Sequence, residues 1–426
     1  MPTASAAVPE VKDAQRTDCA RFLPYAPQRD HLWNRIHHRL FDRITGDGKI
    51  LGCDETDPLL WNATTHVLAE PAFSDTVALL DSFLAGHAER LVRDPLRRAI
   101  FQHDLWAFFD WLVDPSAGQP HQGPPPYQEQ RQQLAQRIAR MVRSVALTQA
   151  EIGRLPNNFQ QLQSSRGKGL LPELPDVAQG WVMLGRDDNT IPAPMHSKIV
   201  SPRSVFLIFL KLPGEATTGP YLEQLRSYSR TRKPEEDCFK KPCRPPQFPA
   251  GTQVALVRRA LLIDVDGKAV MSPITEMIQL RRYLSVPEMR GGFRQTHRPL
   301  PAISPQQFAE FRFRRDLLLR GQPSLHELGA TEPAFVAGPL VEDVDFIDKY
   351  GDTRGSPLHF CLGCHEGPGI VSVMMYSQMF EEKKFLMPRS AEVSEEVIAI
   401  GYLESLGSWR SLSRVMSDAR NASPAH

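Results

Sequence analysis

The residues with the clearest chemical potential form the stretch FCLGCH at residues 360–365. Two thiols at this spacing can each add to one vinyl group of a single porphyrin, and a histidine directly after them can ligate the porphyrin's iron. The stretch therefore predicts one covalently attached haem c, with Cys361 and Cys364 as its thioether links and His365 as its proximal iron ligand.

Two other kinds of site also use a Cys-x-x-Cys pair. A structural zinc ion needs four ligands, and here the second pair would be Cys238 and Cys243, which lie far upstream with four residues between them. A thioredoxin-type redox pair needs a strand before the motif, whereas residues 351–359, GDTRGSPLH, are typical of a loop. A zinc site and a Cys361–Cys364 disulfide therefore remain as alternatives to haem.

A helix is predicted near the C-terminal end of the sequence, starting after Ser394. The serine hydroxyl can cap the helix, and Glu395 and Glu396 favour the positive end of its dipole. The expected apolar face and the expected end of this helix are Val397, Ile400, Leu403 and Leu406, followed by Gly407.

Together, the Cys-x-x-Cys-His motif, the pair Met387-Pro388 and a closing helix with the pattern YLESL at 402–406 resemble the end of a class I c-type cytochrome. The resemblance covers only about residues 345–410. It implies a haem that transfers single electrons, with Met387 as the distal iron ligand. Only 22 residues separate His365 from Met387, roughly half the interval usual in the family, so three other methionines remain alternatives: Met374, Met375 and Met379.

Four cysteines remain outside the motif, and an even number suits disulfides in an oxidising compartment. The expected pairs are Cys19–Cys53 and Cys238–Cys243, with free thiols in a cytosolic protein as the alternative. Covalent haem attachment takes place outside the bacterial cytoplasm, so a periplasmic or secreted protein is predicted. The N-terminus, MPTASAAVPEVKDAQ, has no signal-peptide pattern, and the sequence is therefore expected to begin after a removed leader.

The composition argues against nucleic acid or a membrane as a partner. Fifty basic and 49 acidic residues leave a formal net charge of +1, which gives no general attraction to phosphate-rich partners. The longest apolar run, residues 205–210, is far shorter than the roughly 20 residues that cross a bilayer. The basic segment 226–244 could dock an acidic redox partner protein, or it forms a solvated loop.

A chain of 426 residues is long enough for two or three domains. Its patterns predict an α+β protein with a mainly helical region 1–160, a β-rich region 161–345 and a small α-helical haem-binding region 346–426.

Local signals place the individual elements. Helices are expected from Asp30, from Ser74, between Asp94-Pro95 and Asp114-Pro115, and over 128–146. Strands are expected over 204–212, 252–263 and 274–283, with a hairpin turn at Asp266-Gly267. Residues 308–319 fit either a strand or a helix.

Two groups of polar residues on the expected helices have plain structural interpretations. His37 and His38 are expected to be a hydrogen-bonded or exposed pair rather than a metal site. The last helix of the N-terminal region is expected to present its arginines to solvent: Arg131, Arg137, Arg140 and Arg143.

The predicted function is one-electron transfer by a haem c-binding protein. The sequence contains no HExxH, Walker loop, dinucleotide fingerprint or GxSxG. One alternative is a haem enzyme that acts on peroxide or another small ligand at an open sixth position. The other is a secreted, non-haem binding or structural protein in which Cys361 and Cys364 form a disulfide.

Overall fold

The chain has a mixed α+β structure, as the sequence predicts. All helices, strands and contacts below belong to the part of the chain that the computed structural model describes. That part comprises residues 21–44, 50–51, 67–114, 127–166, 180–186, 189–194, 196–197, 203–231, 245–286, 306–328, 369–370, 372–373, 386–388 and 393–422.

The N-terminal part of the described chain is helical, in agreement with the sequence. Its helices are α1 (Leu32–Phe41), α2 (Ala72–Ala85), α3 (Pro95–Val113), α4 (Gln128–Ser144), α5 (Gln149–Gly153) and α6 (Asn158–Arg166). Helix α3 starts as predicted, because the Asp94 carboxylate accepts from the Leu96 N–H at 3.0 Å and Pro95 occupies the first helical position. Residues 99–112 are all buried, so α3 is surrounded by protein on every side.

A seven-stranded sheet lies beside these helices, and every neighbouring pair of its strands is antiparallel. Its strands are β3 (Val182–Arg186), β4 (Ser204–Lys211), β5 (Gln253–Ile263), β6 (Ala269–Tyr283), β7 (Gln306–Phe313), β8 (Leu325–Glu327) and β9 (Leu386–Pro388). The order across the sheet is β8-β7-β6-β5-β4-β3-β9, and a separate pair is formed by β1 (Arg43–Ile44) and β2 (Ile50–Leu51).

The β5–β6 hairpin turns at Asp266-Gly267, as predicted. Gly267 has a φ of +82°, and the Asp264 carboxylate accepts from the N–H groups of Asp266 and Lys268, each at 2.9 Å. Further along the hairpin the register shifts between Arg258 and Leu261. Strand β6 carries Pro273 at this shift, where a residue without an N–H is tolerated because the ladder is already interrupted.

The two faces of the sheet belong to two different cores, because side chains alternate along a strand. We call the face packed against α3 and its neighbours the first face; its side chains include Val205, Leu207, Phe209, Ala255, Val257 and Ile278. We call the opposite face the second face; its side chains include Leu184, Phe206, Ile208, Leu210, Val254 and Tyr283. Helix α7 (Glu215–Thr231) covers the second face with Tyr221, Leu222 and Leu225.

The described C-terminal helices pack on the core of the first face. They are α9 (Glu395–Ser405) and α10 (Gly407–Ala422). Ser394 caps α9 as predicted, with its hydroxyl 3.3 Å from the Val397 N–H. Leu403 is buried as expected, and Ile400 and Leu406 pack against the same core. Val397 is 61% exposed, so the predicted apolar face is wrong only at its first residue. The carboxylate of Glu396 accepts from the Met271 N–H of β6 at 2.9 Å, which ties α9 to the sheet.

Other local predictions are corrected by tertiary contacts. The cap of α1 is His31 rather than Asp30, and α2 begins at Ala72, so Ser74 lies inside it rather than before it. The ambiguous segment 308–319 contains both kinds of element, because β7 is followed at once by helix α8 (Arg315–Leu319).

One of the arginines of α4 does not face solvent. Arg131 is only 5% exposed, since its guanidinium donates to the Trp111 carbonyl at 2.9 Å and lies 4.2 Å from the centre of the Trp111 ring. Burial lowers the pKa of Arg131 to about 10. The prediction was right for Arg140, which is exposed, and wrong for Arg131.

Candidate functional site

The predicted haem site lies almost wholly outside the described residues. This applies to Cys361, Cys364, His365, Met374, Met375 and Met379, and to the four cysteines of the expected disulfides, Cys19, Cys53, Cys238 and Cys243. Met387 is the exception. It lies in β9 at the edge of the sheet, where its backbone pairs with Gly185 of β3.

A short segment just after the motif is described, and it is anchored on the second face. We call Gly369, Ile370, Ser372 and Val373 the docking segment. Ile370 is fully buried in the second-face core, and Val373 packs against the same core. The Ile370 N–H donates to the Gln247 side-chain oxygen at 3.0 Å.

A buried pair of hydroxyl groups ties the docking segment to the sheet. The Ser372 hydroxyl is hydrogen-bonded to the hydroxyl of Tyr283, the last residue of β6, and also lies 3.0 Å from the Gly369 carbonyl. Both Tyr283 and Ser372 have no exposed surface. Burial raises the pKa of Tyr283, so this phenol is a neutral hydrogen-bonding group at physiological pH.

Gly369 is required at its position for two reasons. Its φ is +53°, which favours glycine. A Cβ atom there would meet the Gln247 Oε1 at 2.3 Å and the Val286 Cγ1 at 2.7 Å. The chain therefore passes closely over the second face four residues after His365.

A second polar cluster is buried where α3 crosses the sheet. The Glu276 carboxylate of β6 lies 3.0 Å from the Arg258 Nε and accepts from the Ser204 hydroxyl at 2.6 Å. The His103 Nε2 of α3 is 3.5 Å from the same carboxylate. All four side chains are almost completely buried. With two of its neighbours already donating to it, the carboxylate is a structural acceptor that joins α3, β4, β5 and β6.

A third cluster joins α1, α3 and α8. Arg315 and Asp104 have fully buried side chains, and their Nη2 and Oδ2 atoms are 2.5 Å apart. His37 lies 3.3 Å from the same guanidinium. Burial, and then the charge of Arg315, hold the pKa of His37 well below its usual range, so its imidazole is neutral. His37 is therefore a satisfied core histidine, as the sequence predicts, and its neighbour His38 bonds Asp42 at 2.5 Å.

Sequence analysis missed the buried ion pairs of both clusters. A signal was present: Glu276 stands within the mainly apolar stretch PITEMI, and Asp104 directly precedes the apolar stretch LWAFF. An ionisable residue in or beside such a stretch is normally buried with a partner. The pattern does not name the partner, and Arg258 and Arg315 carry no signal that would select them.

A scan against protein-family models, a search of curated proteins and a search of solved structures each found no match to this chain. Among the described residues, no three His, Cys, Asp or Glu side chains are grouped so that they could hold a metal ion. Of the helices in the described ranges, none has both the length and the apolar character needed to span a bilayer.

Proposed function

We propose that this protein binds one haem c covalently through Cys361 and Cys364, with His365 as the proximal iron ligand, and that it transfers single electrons outside the cytoplasm. The observation that carries the proposal is the Cys-x-x-Cys-His motif itself. It supplies the two thiols and the imidazole in the order that covalent attachment needs.

The surroundings of the motif fit a fixed prosthetic group. The docking segment begins four residues after His365, and four residues extend at most about 14 Å. Its backbone is fixed by the Gln247 side chain, by the Tyr283–Ser372 hydroxyl pair and by the burial of Ile370. These contacts hold the chain on one side of the motif, which lowers the entropy lost when the histidine is fixed in one orientation.

Met387 is the proposed distal ligand. It belongs to β9, whose backbone is hydrogen-bonded to β3 at the edge of the sheet. Its place on a paired strand supports the proposal, because a ligand is positioned better by a regular element than by a loop. Met374, Met375 and Met379 are the alternative distal ligands.

When bound, haem supplies an iron that gains and loses one electron, and a methionine ligand raises its potential relative to a second imidazole. The protein's own contribution is to orient His365, to keep Met387 in reach and to exclude water from the apolar second face. No acid–base residue is needed for this function.

The test is a pyridine haemochrome spectrum of the full chain, exported with a leader in cells that carry haem-maturation machinery and extracted with acidified acetone. We expect a retained α band of the type given by two thioether links. The double variant C361A/C364A should lose the haem to the solvent, whereas C238A/C243A, a matched pair in the same chain, should retain it. A colourless wild-type protein, or haem extracted from it, refutes the proposal and favours a disulfide or zinc at the motif.

The distal ligand has a separate test. Replacing Met387 by alanine should convert a six-coordinate, low-spin absorption spectrum into a high-spin one. An unchanged spectrum would exclude Met387, and a wild-type spectrum that is already high-spin would favour the enzyme that binds peroxide or another small ligand.

A further inference from the structure

Arg281 of β6 is a buried cation with two unsatisfied donors. The residue is only 7% exposed. Across the described ranges, no acceptor satisfies its Nη1 or its Nη2 atom. On the second face it stands in register with Val254 on one side and with Phe308 on the other. Its guanidinium carbon lies 5.3 Å from the centre of the Phe308 ring, and a ring face compensates a cation only in part.

Two buried acids on the same and the neighbouring strand, Glu276 and Glu310, are bonded to other groups. Glu310, on the neighbouring strand, accepts from the Gln279 amide at 2.9 Å and from the Arg312 Nε at 2.5 Å. Glu276, on the same strand as Arg281, accepts from Arg258 and Ser204. Each acid therefore has its own cation, and neither carboxylate accepts a hydrogen bond from the Arg281 Nη atoms.

The surroundings of Arg281 are electropositive. The ring of His196 packs against Phe206 on the second face, with 5.6 Å between the ring centres. Burial and the charges of Arg281 and Arg258 lower the pKa of His196 to about 4, so His196 stays neutral. The Tyr283 hydroxyl lies beside the Arg281 guanidinium, where it is at most a neutral partner. The phenol stays protonated because burial raises its pKa, so it supplies no negative charge.

A guanidinium cannot lose its proton in a protein, so burial without an anion is strongly unfavourable. We infer that Arg281 is the cation of a buried carboxylate-binding site on the second face. The planar fork of two Nη donors matches the two oxygens of a carboxylate. The apolar side chains of Val254 and Phe308 favour a monoanion over a doubly charged phosphate, since the second charge would also have to be desolvated. The inference does not depend on haem attachment.

The test uses the full chain, with acetate as the probe and chloride as the reference anion at constant ionic strength. Thermal unfolding is followed for the wild type, R281M and R282M. Arg282 is the matched control, because it is the next residue of the same strand and its side chain is exposed. Acetate should raise the midpoint temperature of the wild type and of R282M in a saturable way and should leave R281M unchanged. At an acetate concentration 100 times the dissociation constant, the equilibrium constant for folding should rise about 100-fold.

The carboxylate that Arg281 binds has a second possible source, a side chain of this protein itself. In that case acetate has no effect on the wild type, and R281M unfolds at a lower temperature than both the wild type and R282M. The variant R281K separates this result from a loss of packing, because it keeps the charge and should recover part of the midpoint. Two results would overturn the inference: an equal acetate response in R281M and the wild type, or no response together with an R281M protein as stable as the wild type.

Discussion

The buried pair of Asp104 and Arg315 gives the sharpest prediction for stability. Both side chains are fully buried, and the pair joins α3 to α8 across 211 residues of sequence. We expect the substitution D104N to be strongly destabilising. It removes the negative charge and keeps the size of the side chain, so that packing changes little while the buried Arg315 guanidinium loses its carboxylate partner at 2.5 Å.

The magnitude follows from the burial and the distance. The Nη2 and Oδ2 atoms are 2.5 Å apart in surroundings without water-exposed surface. Removing one partner of such a pair costs about 3–5 kcal/mol, because the remaining charge has lost its solvation and its counter-ion. Asparagine keeps one neutral acceptor for the guanidinium, which places the expected loss near the lower end, at about 3 kcal/mol.

The assay is urea unfolding, followed both by tryptophan fluorescence and by far-UV circular dichroism. Coincident transitions are required before a free energy of unfolding is taken from the curves. The matched control is D81N. Asp81 pairs with Arg137 at 2.7 Å and 3.0 Å, but half of its side chain is exposed. An exposed pair of this kind contributes about 0.2–1 kcal/mol.

A loss in D104N no larger than the loss in D81N would refute the reasoning, because it would show that the buried Arg315 does not need the charge of Asp104. The double variant D104L/R315M provides a second check. Replacing both charges by apolar groups removes the desolvation cost together with the attraction, so its free energy of unfolding should recover most of the loss.

Three further predictions concern single positions. R131A should lower the free energy of unfolding, measured in urea, by about 1–3 kcal/mol, because a buried hydrogen bond and a stacked ring contact are lost. R140A should change it by less than about 0.5 kcal/mol. Equal effects of the two substitutions would contradict the burial of Arg131. G369A should lower the free energy of unfolding by about 1–2 kcal/mol because of its left-handed backbone alone. G401A, inside α9 where a Cβ meets nothing, should raise it by up to about 1 kcal/mol. A stabilised G369A would show that the docking segment does not hold this conformation. His37 has a folded-state pKa below its unfolded value. Its contribution to stability is therefore present above pH ~6.5 and is lost as the pH falls below that value, by at most about 1.4 kcal/mol per pH unit. H37Q should flatten this part of the curve of unfolding free energy against pH, and parallel curves for the wild type and H37Q would exclude His37 as the cause.

Local sequence signals were sufficient wherever an element is defined by its own residues. Asp94-Pro95 fixed the start of α3, and Asp266-Gly267 fixed the turn of the β5–β6 hairpin. Each signal works within one turn of backbone, through a cap hydrogen bond or a left-handed glycine. The Cys-x-x-Cys-His motif is of the same local kind, and its chemistry remains a prediction.

The sequence was a poor guide to the surroundings of individual side chains. Val397 fits the apolar stripe of α9 but is exposed, and Arg131 fits a solvated face but is buried against Trp111. Helical periodicity defines a stripe, while the neighbouring elements decide which part of the helix surface is covered.

The sequence by itself therefore determined the α+β class, the bounds of its strongest helices and strands, and the presence of one Cys-x-x-Cys-His motif. Only the tertiary structure decided which charged side chains are paired inside the protein and which, like Arg281 with its two Nη atoms, lack an acceptor among the described residues. The physical reason is distance along the chain. A cap or a turn is formed by residues two to four positions apart. Asp104 instead pairs with Arg315, which lies 211 residues later in the chain, and no local pattern predicts that pair.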